Sequence, residues 1–307
     1  MRVLEVADRP GWAIDRISKP VAQRWPEIDQ CYGASGARFI GTGYTSKKAA
    51  ITFPDVPLGG YDWIHFYRHK GAMSKIKSYR LARRFRLALT VCSERDVNKD
   101  FSAFDAVICP TRYVLRKVNH GNKFYIPFGI DVTRFKPGHS TSGAIGYVGR
   151  IAKHKQLVIV ASVARKLDVT LIGCGYVDHR PSWKAMGKLL GDNLKFQVKL
   201  SEAEVPALYR KMGVYVCMSK PHIETAPLPV MEAMASGVPV ISTRVGWPLD
   251  HCTDGENILF VDDESSLLQA IKSLDAPLRD RLIQGGLELI SEFDLDYYAG
   301  RVREVYG

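Results

Sequence analysis

The chain has 307 residues, 46% of them hydrophobic and 24% charged, an ordinary globular balance with length for two separately cored domains. No apolar run approaches the roughly 18 residues a membrane span needs, and the first residues lack a signal peptide's apolar core, so residence in the cytoplasm is expected. The six cysteines are scattered, with no CxxC and no paired histidine spacing, and show no sign of a zinc site or a disulfide framework.

The net charge of +11 belongs to one half: residues 1–137 hold 24 Lys and Arg against 12 Asp and Glu, the remainder 19 against 20. A field of that kind favours a polyanionic partner, such as nucleic acid, a phosphorylated glycan or an anionic membrane, or it serves solubility alone.

Short β-branched and aromatic runs alternate with longer amphipathic segments, the pattern of βα units built into parallel sheets. In chain order the strands predicted in the first half are 3–6, 38–40, 63–67, 87–91, 106–109 and 124–126. Between the third and fourth lies HKGAMSKIKSYRLARRFR, residues 69–86, in which Lys70, Lys75, Lys77, Arg80, Arg83, Arg84 and Arg86 occur without one acid. KPGHSTSG, residues 136–143, reads as a linker. The second half repeats the pattern with strands at 144–148, 169–172, 194–198, 214–218, 239–242 and 258–261. Six strands per half predict an α/β chain of two Rossmann-like domains with a cleft between them, ligands lying outside the carboxyl ends of the strands.

Three segments carry chemistry. In GYVGRIAKHKQ, residues 146–156, a strand runs into Gly149 and a cationic loop; Arg150 and Lys155 would neutralise a departing diphosphate, whereas a basic loop taken alone is an ordinary solvated surface. In LIGCGY, residues 171–176, Gly173 and Gly175 permit close backbone approach to a ligand or simply make a turn. HIETAPLPVMEAMASGVPVIS, residues 222–242, reads as loop, short helix and strand, with Pro229 in the first helical turn and Gly237 at its left-handed stop. The amino end of that helix suits an anion, and Glu224 and Glu232 are placed to accept hydrogen bonds from sugar or ribose hydroxyls.

Together and in this order, over residues 124–262, these elements resemble the retaining GT-B glycosyltransferases of family 4, a group with many bacterial mannosyl- and glucosyltransferases. YIPFGIDVTRFKP (125–137), SEAEVPALYRKMGVYVCMS and the two glutamates with seven residues between them carry the likeness as well. The resemblance implies a GT-B architecture of two facing domains: 1–137 for the acceptor and 138–292 for the donor, with a final helix, 293–307, returning to the first. It implies a nucleoside-diphosphate sugar as co-substrate, a UDP-sugar ahead of a GDP-sugar, with no metal, no other cofactor and no obligate protein partner. Arg150 and Lys155 would bind the diphosphate, Glu232 the ribose and Glu224 the transferred sugar, with Gly149, Gly173, Gly175, Thr225, Ala226, Pro227 and Leu228 lining the donor, the last three through loop amides. Gly11 in ADRPGW, residues 7–12, would touch phosphate or acceptor.

The chain departs from the family at two places. It has Gly246 and Trp247 where a glycine pair is common, and TVCSERD where a histidine often follows the strand near residue 90, leaving His65, His69, Glu94 and Asp96 as first-domain candidates by placement.

For the acceptor, the basic segment 69–86, with Lys70, Lys75, Lys77, Arg80, Arg83 and Arg84, joined by His65 and His69, predicts a polyanion. DNA is expected ahead of an anionic membrane because few aromatics accompany the cations: sugar transfer to hydroxymethylated pyrimidines, as in viral genome modification. The rivals are a peripheral membrane enzyme acting on a lipid-linked or lipopolysaccharide acceptor, and a non-catalytic binding module.

Overall fold

The computed structural model describes residues 1–7, 15–32, 59–67, 69–79, 81, 84–138, 143–198, 200, 201 and 203–307. The predicted strand at 38–40, and Gly11, Arg80 and Arg83, lie outside the described residues. The chain forms two compact units, Met1–Gly129 with Leu295–Gly307, and Ile130–Asp294.

In the first unit, β1 (Val3–Ala7), β2 (Ile28–Tyr32), β3 (Trp63–Phe66), β4 (Arg86–Thr90), β5 (Ala106–Cys109) and β6 (Lys123–Tyr125) form one sheet in the order β2-β1-β3-β4-β5-β6. Every pairing is parallel. Covered on both faces, its central strands carry unbroken buried runs such as VLEVA and WIHF. The connecting helices are α1 (Asp15–Arg24), α2 (His69–Tyr79) and α3 (Arg112–Lys117), the last capped by Thr111 Oγ1, which accepts from the Val114 amide. Strand β2 was not expected: IDQCY offers little apolar periodicity, and its place is fixed by lateral pairing with β1.

Part of the basic segment 69–86 is helical. Helix α2 ends at Tyr79, and the buried Leu81 accepts from the Arg84 and Phe85 amides in a turn leading directly into β4. Ala72 and Ile76 face the core, leaving Lys70, Ser74 and Lys77 exposed.

In the second unit, β7 (Ile145–Val148), β8 (Leu171–Cys174), β9 (Leu194–Gln197), β10 (Val214–Cys217), β11 (Val240–Ser242) and β12 (Leu259–Phe260) are ordered β12-β11-β10-β7-β8-β9, again all parallel. Counted from its own first strand this is 3-2-1-4-5-6, the Rossmann order, whose direction reverses between β7 and β10. Around it run α4 (Leu157–Leu167), α5 (Arg180–Leu190), α6 (Val205–Tyr209), α7 (Leu228–Ala235), α8 (Gly246–His251), α9 (Glu264–Lys272) and α10 (Ala276–Ser291). Pro229 lies in the first turn of α7, and Gly237 stops it at φ +69°.

The unit boundary falls at 129/130, earlier than the expected 137/138. The Ile130 amide donates to Phe293 O at 3.0 Å, the Phe135 ring packs edge-on against Tyr209, and the Gly138 amide donates to Ser236 O, so the segment after Gly129 already belongs to the second core.

The last helix, α11 (Leu295–Tyr306), belongs with the first unit and buries Leu295, Tyr298, Ala299, Val302, Val305 and Tyr306. Polar contacts beneath it are buried too. His65 Nδ1 lies 2.6 Å from Tyr306 Oη and its Nε2 2.8 Å from Thr90 Oγ1, while Tyr67 Oη donates to Glu5 Oε1 at 3.0 Å. Of the DLD run at 294–296, Asp294 bridges to Ile130 in one unit and Asp296 pairs with Arg24 in the other, so the two acids serve separate contacts.

Candidate active site

The loops that follow β7 and β10 leave the sheet side by side at its point of reversal, where an open α/β sheet offers a crevice. Two hydrogen bonds tie them together. The Lys220 amide donates to His154 O at 2.9 Å, and Gln156 Nε2 donates to Met218 O at 2.9 Å from a left-handed backbone, φ 52°. A single 3-10 turn, Lys153–Lys155, is thereby held against the loop that leads into α7.

On that platform Lys155 Nζ donates to Glu224 Oε1 at 2.8 Å, and His154 Nε2 approaches the same oxygen at 3.2 Å. Burial by itself raises the Glu224 carboxyl, but the Lys155 charge and the close hydrogen-bonding approach of His154 and Lys155 together outweigh it, and the pKa falls from 4.5 to about 2. Glu224 is therefore an anion at any physiological pH.

Arg150 leaves β7 one residue after Gly149, and its guanidinium donates to Asp178 Oδ2 at 3.0 Å, both side chains being 43% exposed. Glu232 is almost wholly buried on α7 and accepts from Tyr209 Oη at 2.8 Å. Three tyrosines pack together beside Arg150, Glu224 and Glu232. Tyr147 and Tyr215 are stacked with centroids 6.5 Å apart, and Tyr209 lies 6.0 Å from Tyr215. Burial, then the nearby Cys217 and Glu224, pushes the Tyr147 phenol well above its ordinary value of 10, so it stays protonated and donates to Arg150 O at 2.8 Å. Tyr215 is raised likewise, by burial first, then by Cys217, Tyr147, Glu232 and Glu224. One aromatic layer thus adjoins both glutamates.

The glycines of the expected donor site serve the protein's own packing. Gly149 (φ +139°) and Gly175 (φ +149°) press together at the ends of adjacent strands, where a Cβ on Gly175 would collide with the Gly149 carbonyl. A Cβ on Gly173 would strike the Tyr147 carbonyl and the Phe196 ring. The expected row of loop amides is also incomplete: Pro227 has no N–H, and Leu228 N donates to Ala226 O at 2.9 Å.

Thr225 is buried behind Glu224, and its carbonyl accepts from the Trp247 amide at 2.7 Å. Gly246, at φ +44°, lies so close to the Glu224 and Thr225 carbonyls that a Cβ would overlap both. The Trp247 indole is fully buried and packs against both His251 and Phe293, whose rings also touch each other. The Gly246-Trp247 pair, a departure from the family pattern in sequence, is therefore the rear wall of the Glu224 loop. Sequence reasoning missed this wall, as it missed Tyr147, Tyr209, Tyr215 and Asp178. An aromatic in each of two adjacent strands, GYVG and GVYVC, was the available signal for the tyrosine layer.

In the first unit Lys70, Lys77 and Arg84 are exposed, and Lys75 is half-buried, its ammonium pKa lowered by burial. His65, expected at the acceptor, is instead fully buried with both ring nitrogens engaged by Tyr306 and Thr90. His69 Nε2 sits 2.6 Å from Asp100 O, its ring against Phe101. Glu94 is buried and Asp96 half-buried in a turn after β4. Among the described residues, no three His, Cys, Asp or Glu side chains cluster as metal ligands, and no helix is long and apolar enough to cross a membrane.

Comparison with known proteins gives the chain its relatives. The chain is 30% identical over 151 residues to a GDP-mannose-dependent alpha-mannosyltransferase of Corynebacterium glutamicum, covering 45% of this chain and 35% of that protein. It is 26% identical over 218 residues to the lipopolysaccharide core biosynthesis mannosyltransferase of Rhizobium meliloti, covering 58% of each. The chain thus spans 35% of the length of the first relative and 58% of the second. Among solved structures, Anabaena Alr3699/HepE in complex with UDP-glucose superposes with a TM-score of 0.80 at 16% identity, over 100% of this chain and 99% of that one. That likeness shows the fold, a GT-B architecture of two parallel six-stranded sheets. The family model described as Glycosyl transferases group 1 matches residues 130–287, from the first residue of the second unit into α10. With just over half its length matched in this way, the chain belongs to the glycosyl transferases group 1 family.

Proposed function

We propose that the chain transfers a sugar from a nucleoside-diphosphate sugar, with retention of anomeric configuration, to a hydroxyl of a lipid-linked or cell-envelope glycan acceptor. The observation that carries this is the Lys155–Glu224 contact at the reversal of a Rossmann-ordered sheet: a cation for a diphosphate and a permanently ionised carboxylate for sugar hydroxyls, side by side. Lys155, with Arg150 once it leaves Asp178, neutralises the charge that grows on the departing diphosphate, the place where preorganised charge does most for the rate. Glu224 holds the transferred sugar and Glu232 the ribose. The acceptor hydroxyl attacks from the face the diphosphate leaves, its proton passing to a phosphate oxygen, so no covalent nucleophile is required.

The names of the relatives favour GDP-mannose as the first donor to test, ahead of the UDP-sugar expected from the sequence. They also favour an envelope glycan. The DNA acceptor expected from the basic first half, and with it a viral role, finds no support among these relatives, and the exposed Lys70, Lys77 and Arg84 suit phosphorylated glycans or anionic headgroups equally well.

The test incubates the protein with GDP-mannose or UDP-glucose and, in separate arms, a lipid-linked saccharide, a lipopolysaccharide core and hydroxymethylated duplex DNA, with products read by mass spectrometry. A hexose added to a glycan or lipid arm, and lost in Glu224→Gln, supports the proposal. Hexose on DNA alone reverses the acceptor assignment, and donor binding without transfer to any arm speaks for a binding module.

A further inference from the structure

His154 is the one member of the β7 loop cluster that the reaction outlined above leaves without a task. Its backbone is pinned by the Lys220 amide, and its ring is aimed at Glu224: Nε2 lies 3.2 Å from Oε1, with the side chain 18% exposed. The Nε2 atom itself is sealed from solvent and makes no well-aligned hydrogen bond. Lys155 occupies the same carboxylate oxygen at 2.8 Å. Both partners therefore converge on Oε1. The titratable and charged groups facing this point are Lys155 from the same turn, Glu224 from the loop after β10, and the phenols of Tyr147 and Tyr215 from β7 and β10, with Arg150 beyond Tyr147.

A buried donor out of line costs free energy unless something realigns it. Two donors crowding one carboxylate oxygen also fix the rotation of that carboxylate, and with it the direction in which its second oxygen points.

We propose that His154 is a positioning residue for the donor sugar: it and Lys155 together aim the Glu224 carboxylate at the sugar hydroxyls. The inference rests on the reading that Glu224 meets the transferred sugar. It extends that reading to a residue whose effect is specific to the sugar and spares the diphosphate.

The test is calorimetric titration of wild type, His154→Gln and His154→Lys with GDP, GDP-mannose, UDP and UDP-glucose. The preference of wild type for the nucleotide sugar over its own nucleoside diphosphate should fall by about tenfold in His154→Gln, the worth of one charge-assisted contact, and return in His154→Lys. Diphosphate affinity should be alike in all three.

A preference that is the same in wild type and His154→Gln overturns the inference alone, and so does a parallel loss of diphosphate and nucleotide-sugar binding in a variant that melts as wild type does. Absence of nucleotide binding in wild type overturns the donor-site reading together with it. A second measurement needs no His154 variant: the Nε2 nitrogen resonance of His154 should move on Glu224→Gln, and an unmoved resonance refutes the contact.

Discussion

Lys155 Nζ and Glu224 Oε1 stand 2.8 Å apart with their side chains only 14% and 15% exposed, an ion pair set into the protein at the mouth of a loop. Removing one partner of a fully buried pair costs about 3–5 kcal/mol, and this one keeps some solvent, so Lys155→Ala should destabilise the chain by about 2 kcal/mol. Affinity for a nucleoside diphosphate should fall at least about tenfold with the lost charge. Thermal unfolding and calorimetry measure the two separately; unchanged diphosphate binding would remove Lys155 from the donor site.

The depressed Glu224 carboxyl makes stability depend on pH in a fixed direction. Its folded pKa, about 2, lies below the ordinary 4.5, so its contribution is complete above 4.5 and drains away as pH falls towards 2. The difference corresponds to about 3 kcal/mol at neutral pH. Melting curves of wild type and Glu224→Gln should be widely separated at pH 7 and approach each other between pH 4.5 and 2. A constant gap across that window would contradict the buried pairing.

Arg150 is engaged by Asp178 through a bridge open to solvent on both sides. Exposed pairs of this kind are worth about 0.2–1 kcal/mol, so Asp178→Asn should leave the melting temperature nearly unchanged. Releasing the guanidinium should tighten diphosphate binding by about two- to fivefold, the same energy in another form. Weaker binding in Asp178→Asn would mean that the carboxylate orients Arg150 for the ligand instead of holding it away.

Gly246 has both a positive φ and no room for a Cβ beside the Glu224 and Thr225 carbonyls. Gly246→Ala should therefore cost about 1–3 kcal/mol and displace the Glu224 loop. Nucleotide-sugar affinity should drop more than diphosphate affinity, because the displaced group is the one facing the sugar. Equal effects on the two ligands would detach this wall from the sugar subsite.

In the first unit Tyr306→Phe deletes the hydroxyl beside His65 Nδ1 and leaves a ring nitrogen buried without that partner. The expected cost is about 1–3 kcal/mol in denaturant unfolding. Donor binding, assigned to the other unit, should be unaffected.

The legible part of the fold was the part written in local pattern. Runs such as AVIC and IGYV, short, apolar and bounded by turn residues, read as buried strands, and five of the six strands of the first sheet and all six of the second were found from such runs. Strand β2 escaped because IDQCY is held by its neighbour β1 and not by its own propensity.

The same division runs through the site. By itself the sequence determined that Lys155, Glu224 and Glu232 lie on loop and helix segments after parallel strands, because residue spacing and glycine and proline placement are local properties of the chain. Only the tertiary structure decided that Lys155 and His154 share one oxygen of Glu224, that Asp178 holds Arg150, that Tyr209 satisfies Glu232, and that His65 is sealed beneath α11. Each of these pairs joins residues brought together by strand order and helix packing, and a partner chosen by proximity in space leaves no mark on either residue's neighbours in the chain.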